Sequence, residues 1–470
     1  MATKRVLPKE NSPLKTVVLN GSPKGDFSVT RQYIHYLEKI FISQNFQVIN
    51  IGEDIAKLEN NNDYFSRVKH TINEADALVW CYPVYTFLIP YQLKRFIELV
   101  EEKNATNCFA GKYATSISTS AHFYDHTAHN YIHQISCDWG MNYLEGFSAA
   151  MNDLTKPAER KNLSCFWEDF CSCVQQEAFL EKRYEPVNYS PPHYRPELED
   201  NVPSSGAKKV TLLTDHHSED CNLANMVRNF SLLMPAEVEI IKLQELNLKG
   251  GCRGCIRCGY DGTCIYRDDF MEAWQKIIEA DAVIYAGTVV DRFLSSRWKL
   301  FFDRCFCNGH RPYLMGKQIG YIISGPLRQI PNLREILHAN AEINRANLVG
   351  FVTDEYSSGE DITRLLKTFT SRFATFMENN CVKPQTFRGR GGHLVFRDLI
   401  YNMSGIFQED YRFYRKYNLF DFPQKNIKSR FTNAGLKVIM KIPRVRKNIV
   451  RKSKEGMIFP HQQVLRRIQK

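Results

Sequence analysis

Four cysteines lie within thirteen residues of one another and form the densest group of reactive side chains in the sequence. They are Cys252, Cys255, Cys258 and Cys264, with the spacing C-x2-C-x2-C-x5-C. Closely spaced thiolates separated by small residues allow one loop to wrap an iron–sulfur cube, and C-x2-C-x2-C is typical of ferredoxins. Structural zinc more often takes two separated C-x2-C pairs. The pattern predicts a [4Fe-4S] cluster, with zinc or free thiols as the alternatives.

A second segment, near the amino terminus, has the composition of an anion-binding loop. Residues 20–30 read Asn-Gly-Ser-Pro-Lys-Gly-Asp-Phe-Ser-Val-Thr, between a short apolar run and a helical pattern. Such a loop points free N–H groups and the positive end of a helix dipole at an anion, and Ser22, Lys24, Ser28 and Thr30 add donors. It is neither Walker A nor Gly-x-Gly-x-x-Gly. It favours a monophosphate; an ordinary helix cap is the alternative.

Two further loops are predicted at the same sheet edge. Residues 81–90 read Cys-Tyr-Pro-Val-Tyr-Thr-Phe-Leu-Ile-Pro, a rigid aromatic loop that could cover one face of a flat ring. Residues 118–124, Ser-Thr-Ser-Ala-His-Phe-Tyr, follow the next strand. Three loops for phosphate, ring and ring edge describe an FMN site. His122 and Tyr124 are candidate proton donors near the ring, with ordinary loop packing as the alternative for either one.

The chain repeats itself at a constant spacing. Residues 74–80 match residues 279–285, and residues 94–98 match residues 299–303, both with an offset of 205. The first strands, at 15–22 and 208–215, match with an offset of 193, so the second copy has twelve extra residues before its third strand. The cysteine segment lies in that interval. We therefore predict a tandem duplication in which the cysteine loop is an insertion at the carboxyl end of a strand, where ligands bind in parallel sheets.

Each copy alternates short apolar runs with helical patterns, which predicts α/β domains with doubly wound parallel sheets. The first copy has predicted strands at 15–20, 46–51, 77–81 and 113–118, and predicted helices at 29–41 and 93–100. The predicted organisation is an FMN-binding domain at 1–184, a proline-rich linker at 185–207, a domain with the four-cysteine loop at 208–361, and a basic helical carboxyl-terminal extension at 362–470.

The positive charge of the chain is concentrated at its end. The 470 residues have a net charge of +11, but residues 383–470 hold 21 Lys and Arg against 5 Asp and Glu, so the rest carries −5. The 43% apolar content is ordinary for a globular protein. No apolar run is long enough to span a membrane and no secretory signal is visible, so we predict a cytoplasmic protein. A solvated extension is favoured over binding of nucleic acid or an anionic membrane by the tail.

The motifs together resemble a known family. The Gly-Ser-Pro-Lys and Ser-Val-Thr segments, the Pro-Val-Tyr loop followed by Gln-Leu-Lys-Arg-Phe, and Phe-Ala-Gly-Lys at 109–112 look like flavodoxin-like NAD(P)H-dependent FMN reductases. The cysteine block resembles that of iron–sulfur flavoproteins of the same superfamily. The resemblance implies two tandem flavodoxin-like domains. It also implies FMN phosphate on Ser22, Lys24, Ser28, Val29 and Thr30, and the ring against Pro83, Val84, Tyr85 and Thr86, with the loop at Ser118 and Thr119 beside it.

The second copy lacks these flavin features. Its first loop reads Thr-Asp-His-His-Ser-Glu-Asp-Cys from residue 214, and its carboxylates at Asp215, Glu219 and Asp220 would repel a phosphate. Its counterpart of Pro-Val-Tyr is Thr-Val-Val from residue 288. We therefore expect one FMN per chain, in the first domain, although Ser218 and Asn222 leave a weak second site open.

The sequence predicts a redox flavoprotein, an NAD(P)H-dependent oxidoreductase that passes electrons between a reduced donor, FMN and a [4Fe-4S] cluster to a small-molecule or protein acceptor. One alternative is a non-catalytic electron-transfer carrier that serves a partner enzyme. Another is a plain FMN reductase with zinc or free thiols in place of the cluster. A pseudo-dimer within the chain and a homodimer of two chains both remain open.

Overall fold

The computed structural model describes residues 14–196, 208–451 and 461–462. Residues 197–207, which belong to the predicted linker, and residues 452–460 and 463–470 of the predicted basic extension lie outside the described residues.

The first domain is a parallel sheet covered by helices on both faces, as the alternating pattern predicted. The strands are β1 (Lys15–Asn20), β2 (Asn45–Ile49), β3 (Ala77–Pro83), β4 (Tyr113–Ser120), β5 (Asn142–Tyr143) and β6 (Phe147–Ala150); the helices are α1 (Val29–Ile40), α2 (Ile51–Asn60), α3 (Asn62–Asn73), α4 (Tyr91–Glu102), α5 (Asp125–Asp138) and α6 (Pro157–Gln175). The strand order is β2-β1-β3-β4-β5, and β6 pairs with β4. The two short strands β5 and β6 were not predicted from the sequence.

The second domain repeats this topology. The strands are β7 (Lys209–Thr214), β8 (Glu237–Lys242), β9 (Ala282–Thr288), β10 (Gln318–Ser324) and β11 (Asn347–Thr353). Their order in the sheet, β8-β7-β9-β10-β11, corresponds to the order β2-β1-β3-β4-β5 of the first sheet, and all the pairs are parallel. The helices are α7 (Asn222–Leu233), α8 (Cys258–Asp261), α9 (Phe270–Glu279), α10 (Ser296–Arg304), α11 (Pro331–Ile343) and α12 (Gly359–Glu378). The prediction of two tandem doubly wound sheets is confirmed.

Central strands are apolar along their whole length because both of their faces are covered. On β3, Leu78 and Trp80 pack on one side of the sheet, whereas Ala77, Val79 and Cys81 pack in a separate cluster on the other. Successive strand residues point to opposite faces, so a strand buried on both sides cannot alternate apolar with polar residues. The buried strands thereby hold the loops at their carboxyl ends in fixed positions.

The two domains contact each other through equivalent helices, α4 and α10. On α4, the buried Lys94 ammonium lies 2.6 Å from the Glu98 carboxylate, and Glu98 accepts a hydrogen bond from the backbone N–H of Ser296 (2.5 Å). Asp291 also contacts Lys94 (2.9 Å). Burial alone would lower the pKa of Lys94, but the two carboxylates raise it above its usual value, so the ammonium stays charged.

The same arrangement occurs a second time, 205 residues later. The buried Lys299 pairs with Asp303, and Asp303 accepts a hydrogen bond from the backbone N–H of Tyr91 (2.7 Å). Each domain thus caps the other's helix with the same lysine–carboxylate pair. This reciprocity is the signature of an isologous interface, here formed within one chain. The structure therefore contains an internal pseudo-dimer, which is one of the two arrangements that the sequence left open.

The carboxyl-terminal region divides into two parts. Helix α12 packs on the second sheet although residue 362 was predicted to begin the extension, because its apolar stripe covers β10 and β11. Helix α13 (Phe387–Asn402) packs on α11, and α14 spans Gln408–Lys416. The chain separates into compact units at residues 413 and 414. The second unit contains α15 (Ile427–Ile439) and α16 (Pro443–Arg451). No helix in the described parts of the chain is long and apolar enough to cross a bilayer.

Candidate functional site

The three predicted loops of the first domain meet at one cleft of about 320 Å³. They follow β1, β3 and β4, which are neighbours in the sheet, so their carboxyl ends lie side by side. Nine of the eleven predicted flavin-binding residues line the cleft: Ser22, Lys24, Ser28, Val29, Pro83, Val84, Tyr85, Thr86 and Thr119. The other two, Thr30 and Ser118, lie behind it.

The loop after β1 presents buried donors to the cleft. The Asn20 side chain holds the turn, donating to the carbonyl of Gly25 (3.1 Å) and accepting from the backbone N–H of Ser22 (3.2 Å). Ser28 precedes α1 as its N-cap but makes no side-chain cap hydrogen bond, and both serines are almost fully buried. An uncapped helix start with a buried hydroxyl beside it suits an anion, because the first N–H groups of a helix have no partners within it.

The two predicted residues that do not line the cleft, Thr30 and Ser118, are buried and make side-chain hydrogen bonds. The hydroxyls of Thr30 and Thr119 are 2.5 Å apart, which ties the start of α1 to the end of β4. Ser118 contacts the Nε2 atom of His129 at 2.7 Å and is fully buried. Burial lowers the pKa of His129 to about 4, so this imidazole is neutral and its ring is fixed between two serine hydroxyls.

The loop after β3 is a tight turn fixed at both ends. Tyr85 and Leu88 exchange backbone hydrogen bonds of 2.8 and 3.0 Å, and Val84 donates to the carbonyl of Thr119 (3.1 Å). Thr86 and Phe87 between them have φ angles of +43° and +69°, in the left-handed region that such a turn requires. Lys299 of the second domain donates to the carbonyl of Tyr85 (2.8 Å). The aromatic loop is therefore held by both domains.

The second domain and α13 close the cleft opposite these loops. Neither contribution was predicted, because the residues have no motif and lie between 183 and 385 positions further along the chain than the loop residues. The Phe123 and Phe396 rings are tilted by 30° with centroids 4.0 Å apart, and His310 packs on Phe396 and Phe407. The closing residues include Phe302, Phe306, Asn308, His310, Tyr313, Phe396, Met403 and Phe407. The closed cleft thus has an aromatic wall.

The four cysteines of the motif line an adjoining cavity of about 100 Å³. A fifth thiol, Cys307, lines it as well, and its side chain is buried. The guanidinium of Arg304 forms another wall and is held by two hydrogen bonds of 2.8 Å to Asp268. The sequence left Cys307 unassigned. A short turn after α10 brings it to this cavity.

The two cavities share walls. Tyr85 of the aromatic loop lines both, and so do Gly254 and Ile256 of the cysteine loop and Phe306. Ile256 has a φ of +63°, which a β-branched residue rarely adopts. The cysteine loop of the second domain therefore lies directly against the predicted flavin loop of the first domain.

Two glycines allow this close approach. A Cβ atom on Gly251 would lie 2.6 Å from the Tyr91 ring, and one on Gly254 would lie 2.1 Å from the Tyr85 hydroxyl and 3.0 Å from Cε of Lys24. Gly254 also has a φ of +61°. No other residue type fits between the two loops at Gly254 without moving one of them.

Replacing Gly254 by alanine is expected to push Tyr85 and Lys24 out of place and to weaken FMN binding about tenfold, or about 1.4 kcal/mol. Flavin fluorescence titration of the apoprotein would measure this. Gly316→Ala is a matched control, since Gly316 has a φ of +81° but no atom within 4 Å of the added Cβ. It should lower stability by about 1 kcal/mol without changing FMN affinity. Equal losses of affinity in both variants would contradict the assignment.

Burial favours the protonated form of two thiols of the cysteine loop. Burial raises the pKa of Cys252 to about 12 and that of Cys258 to about 11, and the neighbouring thiols add to both shifts. None of the fourteen cysteines forms a disulfide. No three His, Cys, Asp or Glu side chains of the described residues stand in a metal-binding arrangement. The donor set nevertheless fits a thiophilic metal group, because a bound cation deprotonates thiols that burial keeps neutral.

The predicted proton donors lie beside the cleft and do not line it. His122 is half exposed, with Nδ1 2.9 Å from Asp125. Tyr124 packs against Phe87 and Phe123, and burial raises the pKa of its hydroxyl well above its usual value. Phe123, between them in the sequence, lines the cleft.

Comparison with known families agrees with this architecture. Residues 14–164 match a family model for the flavodoxin-like fold, and residues 214–352 match the NADPH-dependent FMN reductase family. The chain thus contains two flavodoxin-like domains in tandem, one matched by each family model.

Individual relatives cover one domain each. An iron–sulfur flavoprotein of Archaeoglobus fulgidus is 27% identical over 170 residues, which are 35% of this chain and 77% of that protein. Among solved structures, the NAD(P)H:acceptor oxidoreductase FerB of Paracoccus denitrificans is 22% identical with a TM-score of 0.30, covering 35% of this chain and 98% of FerB. An FMN-dependent NADH-azoreductase of Bacillus anthracis is 17% identical with a TM-score of 0.26, covering 35% and 100%.

In the second domain, side chains of the protein itself occupy the sheet edge that corresponds to the cleft of the first domain. Asp215, at the position of Ser22, is buried and accepts hydrogen bonds from the Ser295 hydroxyl (2.5 Å) and the backbone N–H of Thr288 (3.0 Å). Asn222, where α7 begins, donates to Asp354 and to the carbonyl of Pro192 at 2.9 Å each. A buried carboxyl group therefore occupies the position that Ser22 has in the first domain.

The proline-rich linker covers the rest of that edge. The Tyr189 hydroxyl donates to Asp354 (2.7 Å), and Asn188 exchanges hydrogen bonds with the Gln329 side chain. Tyr194 is fully buried among α7 and α12. The described part of the linker thus crosses the loops after β7, β10 and β11, the places where a ligand of this sheet would lie.

The buried Asp215 predicts a pH dependence of stability. Burial raises the pKa of its carboxyl from 3.8 to about 6, so the folded state binds more protons than the unfolded state between these values. The free energy of unfolding should therefore fall as the pH rises through this window, at a total cost of about 1–3 kcal/mol above it. Asp215→Asn should stabilise the protein at about pH 8 and change little near pH 4. Thermal denaturation across that range would measure the difference; an equal shift at both ends would contradict it.

Proposed function

We propose that this chain is an NAD(P)H-dependent oxidoreductase that holds one FMN in the cleft of the first domain and a [4Fe-4S] cluster in the cysteine cavity of the second. Electrons would pass from a reduced donor to the flavin and through the cluster to a small-molecule or protein acceptor. The observation that carries the proposal is the shared wall of the two cavities, formed by Tyr85, Gly254 and Ile256. Two redox groups that share a wall are close enough to exchange electrons directly.

Different residues at the cleft would bind different parts of FMN. Ser22, Lys24, Ser28 and the start of α1 would hold the phosphate, since the loop offers buried hydroxyls, an ammonium and helix N–H groups. Residues 83–86 would cover the ring, and Thr119 its edge. Bound FMN would supply hydride acceptance from a nicotinamide and release of electrons one or two at a time. The aromatic wall at Phe306 and Phe396 would exclude water from the reacting face.

One histidine side chain lines the cleft. His310 lines it, with Nδ1 3.2 Å from the buried carboxylate of Asp410. A carboxylate at one ring nitrogen fixes the tautomer and orients the imidazole. Since His122 and Tyr124 lie beside the cleft and do not line it, we propose His310 first as the group that delivers a proton to the acceptor. His122 and Tyr124 stay as the predicted alternatives.

His310→Gln is expected to slow reduction of a two-electron acceptor such as a quinone by about 100-fold, because general acid catalysis contributes this much. FMN content and affinity should stay unchanged. Steady-state and single-turnover kinetics would separate the acceptor step from flavin reduction. Equal slowing of flavin reduction by NAD(P)H would contradict a role in proton delivery.

For the metal group, Cys252, Cys255, Cys258 and Cys264 would be the ligands, with Arg304 beside the cavity to offset negative charge. Zinc and free thiols remain the alternatives, and either would leave a plain FMN reductase. A carrier that serves a partner enzyme would hold both groups and turn over slowly without its partner.

An anaerobic absorption spectrum before and after dithionite, with iron, zinc and flavin assays on the same sample, tests the proposal. We expect flavin bands over a broad shoulder that dithionite bleaches, about four irons and one flavin per chain. Rapid turnover with NADH or NADPH and a dye acceptor distinguishes the enzyme from the carrier. Protein that binds no flavin would overturn the proposal. Flavin without iron would reduce it to an FMN reductase.

A further inference from the structure

The two helices of the second compact unit expose many apolar side chains. Of the 21 large apolar residues exposed in the described chain, seven lie between residues 427 and 449, and α15 has no buried residue. Exposed apolar residues occur singly on most soluble proteins, but a cluster of them marks a binding surface. The seven are Ile427, Phe431, Leu436, Val438, Ile439, Ile442 and Ile449.

On α15 these side chains form a stripe. Ile427, Phe431 and Val438 are spaced i, i+4 and i+11, so they lie on one face of the helix, and they are 63%, 76% and 66% exposed. The groove between α15 and α16 is lined instead by Leu436, Met440 and Arg446 with their neighbours. Packing of the two helices on each other therefore leaves the stripe open.

Helix α16 and the residue before it have a second stripe. Ile442, Val445 and Ile449 are spaced i, i+3 and i+7 on one face, whereas Arg444, Lys447 and Arg451 repeat the same spacing on the opposite face. An apolar face opposite a basic face is the pattern of helices that lie in a membrane interface.

The charge of residues 422–451, taken together with the apolar stripes, indicates which kind of partner they bind. Residues 422–451 contain nine Lys and Arg and no Asp or Glu. They are Lys425, Lys428, Arg430, Lys437, Lys441, Arg444, Arg446, Lys447 and Arg451. Nucleic acid would satisfy the charges and stack on aromatic rings, but the stripes are aliphatic apart from Phe431. An anionic lipid surface satisfies both features, since acyl chains cover the apolar faces and headgroups meet the basic side chains.

We propose that residues 427–451 bind the surface of anionic membranes as a pair of interfacial helices that do not span the bilayer. Apolar contact and charge attraction act together, so neither neutral lipid nor charge alone reproduces the binding. The inference is independent of the flavin and the cluster. It reverses the sequence-based preference for a solvated tail, because that preference rested on the charges and did not consider the exposed stripes.

Co-sedimentation of the full-length protein with vesicles tests this inference. Vesicles of phosphatidylcholine alone are compared with vesicles containing about 30% phosphatidylglycerol, at low and high salt. We expect at least about tenfold tighter binding to the anionic vesicles, and a loss of most of that preference at about 0.5 M salt. Equal binding to both lipids, or none to either, would overturn the proposal.

Two variants separate the apolar contact from charge. Phe431→Asp adds a charge on the stripe and should weaken binding at least about tenfold. Thr432→Asp adds the same charge to the same helix off the stripe and should weaken it about two- to fivefold. Folding is checked by circular dichroism and flavin content. Equal losses in the two variants would overturn the apolar role. Tighter binding to duplex DNA than to vesicles, or a change from dimer to monomer in Phe431→Asp without vesicle binding, would overturn the lipid assignment.

Discussion

Replacing Ser22 by aspartate is expected to weaken FMN binding by about 100- to 1000-fold. Ser22 is 1% exposed and lines the cleft, so the new carboxylate would face the phosphate with little screening by water. Two like charges about 4 Å apart repel by about 4 kcal/mol at the effective dielectric constant of a protein. Burial should raise the pKa of the new group, as it raises that of Asp215 to about 6. Affinity should therefore recover partly below about pH 6.

The chain contains its own control for this substitution. Asp215→Ser, at the matching position of the second domain, should leave FMN affinity and the ratio of one flavin per chain unchanged, because Tyr189 and Asn188 of the linker also cover that edge. Fluorescence titration and flavin content measure both variants. Unchanged affinity in Ser22→Asp would place the phosphate elsewhere. A second flavin in Asp215→Ser would show that the carboxylate alone excludes it.

Replacing Cys258 by serine is expected to lower the iron content from about four atoms per chain to less than about one. Cys258 begins α8 and lines the cysteine cavity, and its thiol interacts with those of Cys255 and Cys264. A serine hydroxyl is a poor ligand for iron in such a cluster. FMN content should persist, because the flavin loops belong to the other domain. Iron and flavin assays, with the absorption spectrum, measure the effect.

Cys307→Ser is the matched control for this variant. Cys307 lines the same cavity, but it lies on the turn after α10 and outside the motif. Iron content should remain at the wild-type value in this variant. Cys307→Ser could instead lose iron while serine replacement of one of the four motif cysteines does not. Cys307 would then be a ligand in place of that motif cysteine. Stoichiometric zinc in the unsubstituted protein would replace the cluster by a zinc site.

Several features could be predicted from the sequence because they are local. A strand buried on both faces must be apolar throughout, so residues 15–20 identified β1, whose bounds are Lys15–Asn20 in the structure. The repeat at a fixed offset predicted two copies of one topology, and both sheets have the same strand order. Loops that follow neighbouring strands must lie at one edge, which brought nine of the eleven predicted residues to one cleft.

Other features depend on contacts between distant residues, which no local pattern reports. The approach of Gly254 to Tyr85 joins residues 169 positions apart. The aromatic wall needs α13, which the sequence placed in a separate extension. The linker's place on the second sheet depends on single hydrogen bonds such as that of Tyr189 to Asp354. Periodicity shows which face of an element is buried, but not which element covers it.

The sequence by itself determined the two folds, the loops predicted to bind a phosphate and a ring, and the cysteine motif, because each follows from side-chain spacing within one segment. Only the tertiary structure decided how the two domains are joined. The pairs at Lys94 and Lys299 lock α4 against α10 in a reciprocal interface, and that interface carries the cysteine loop onto the flavin cleft. The relation between the two cavities is a property of this interface, which forms only when both domains are folded.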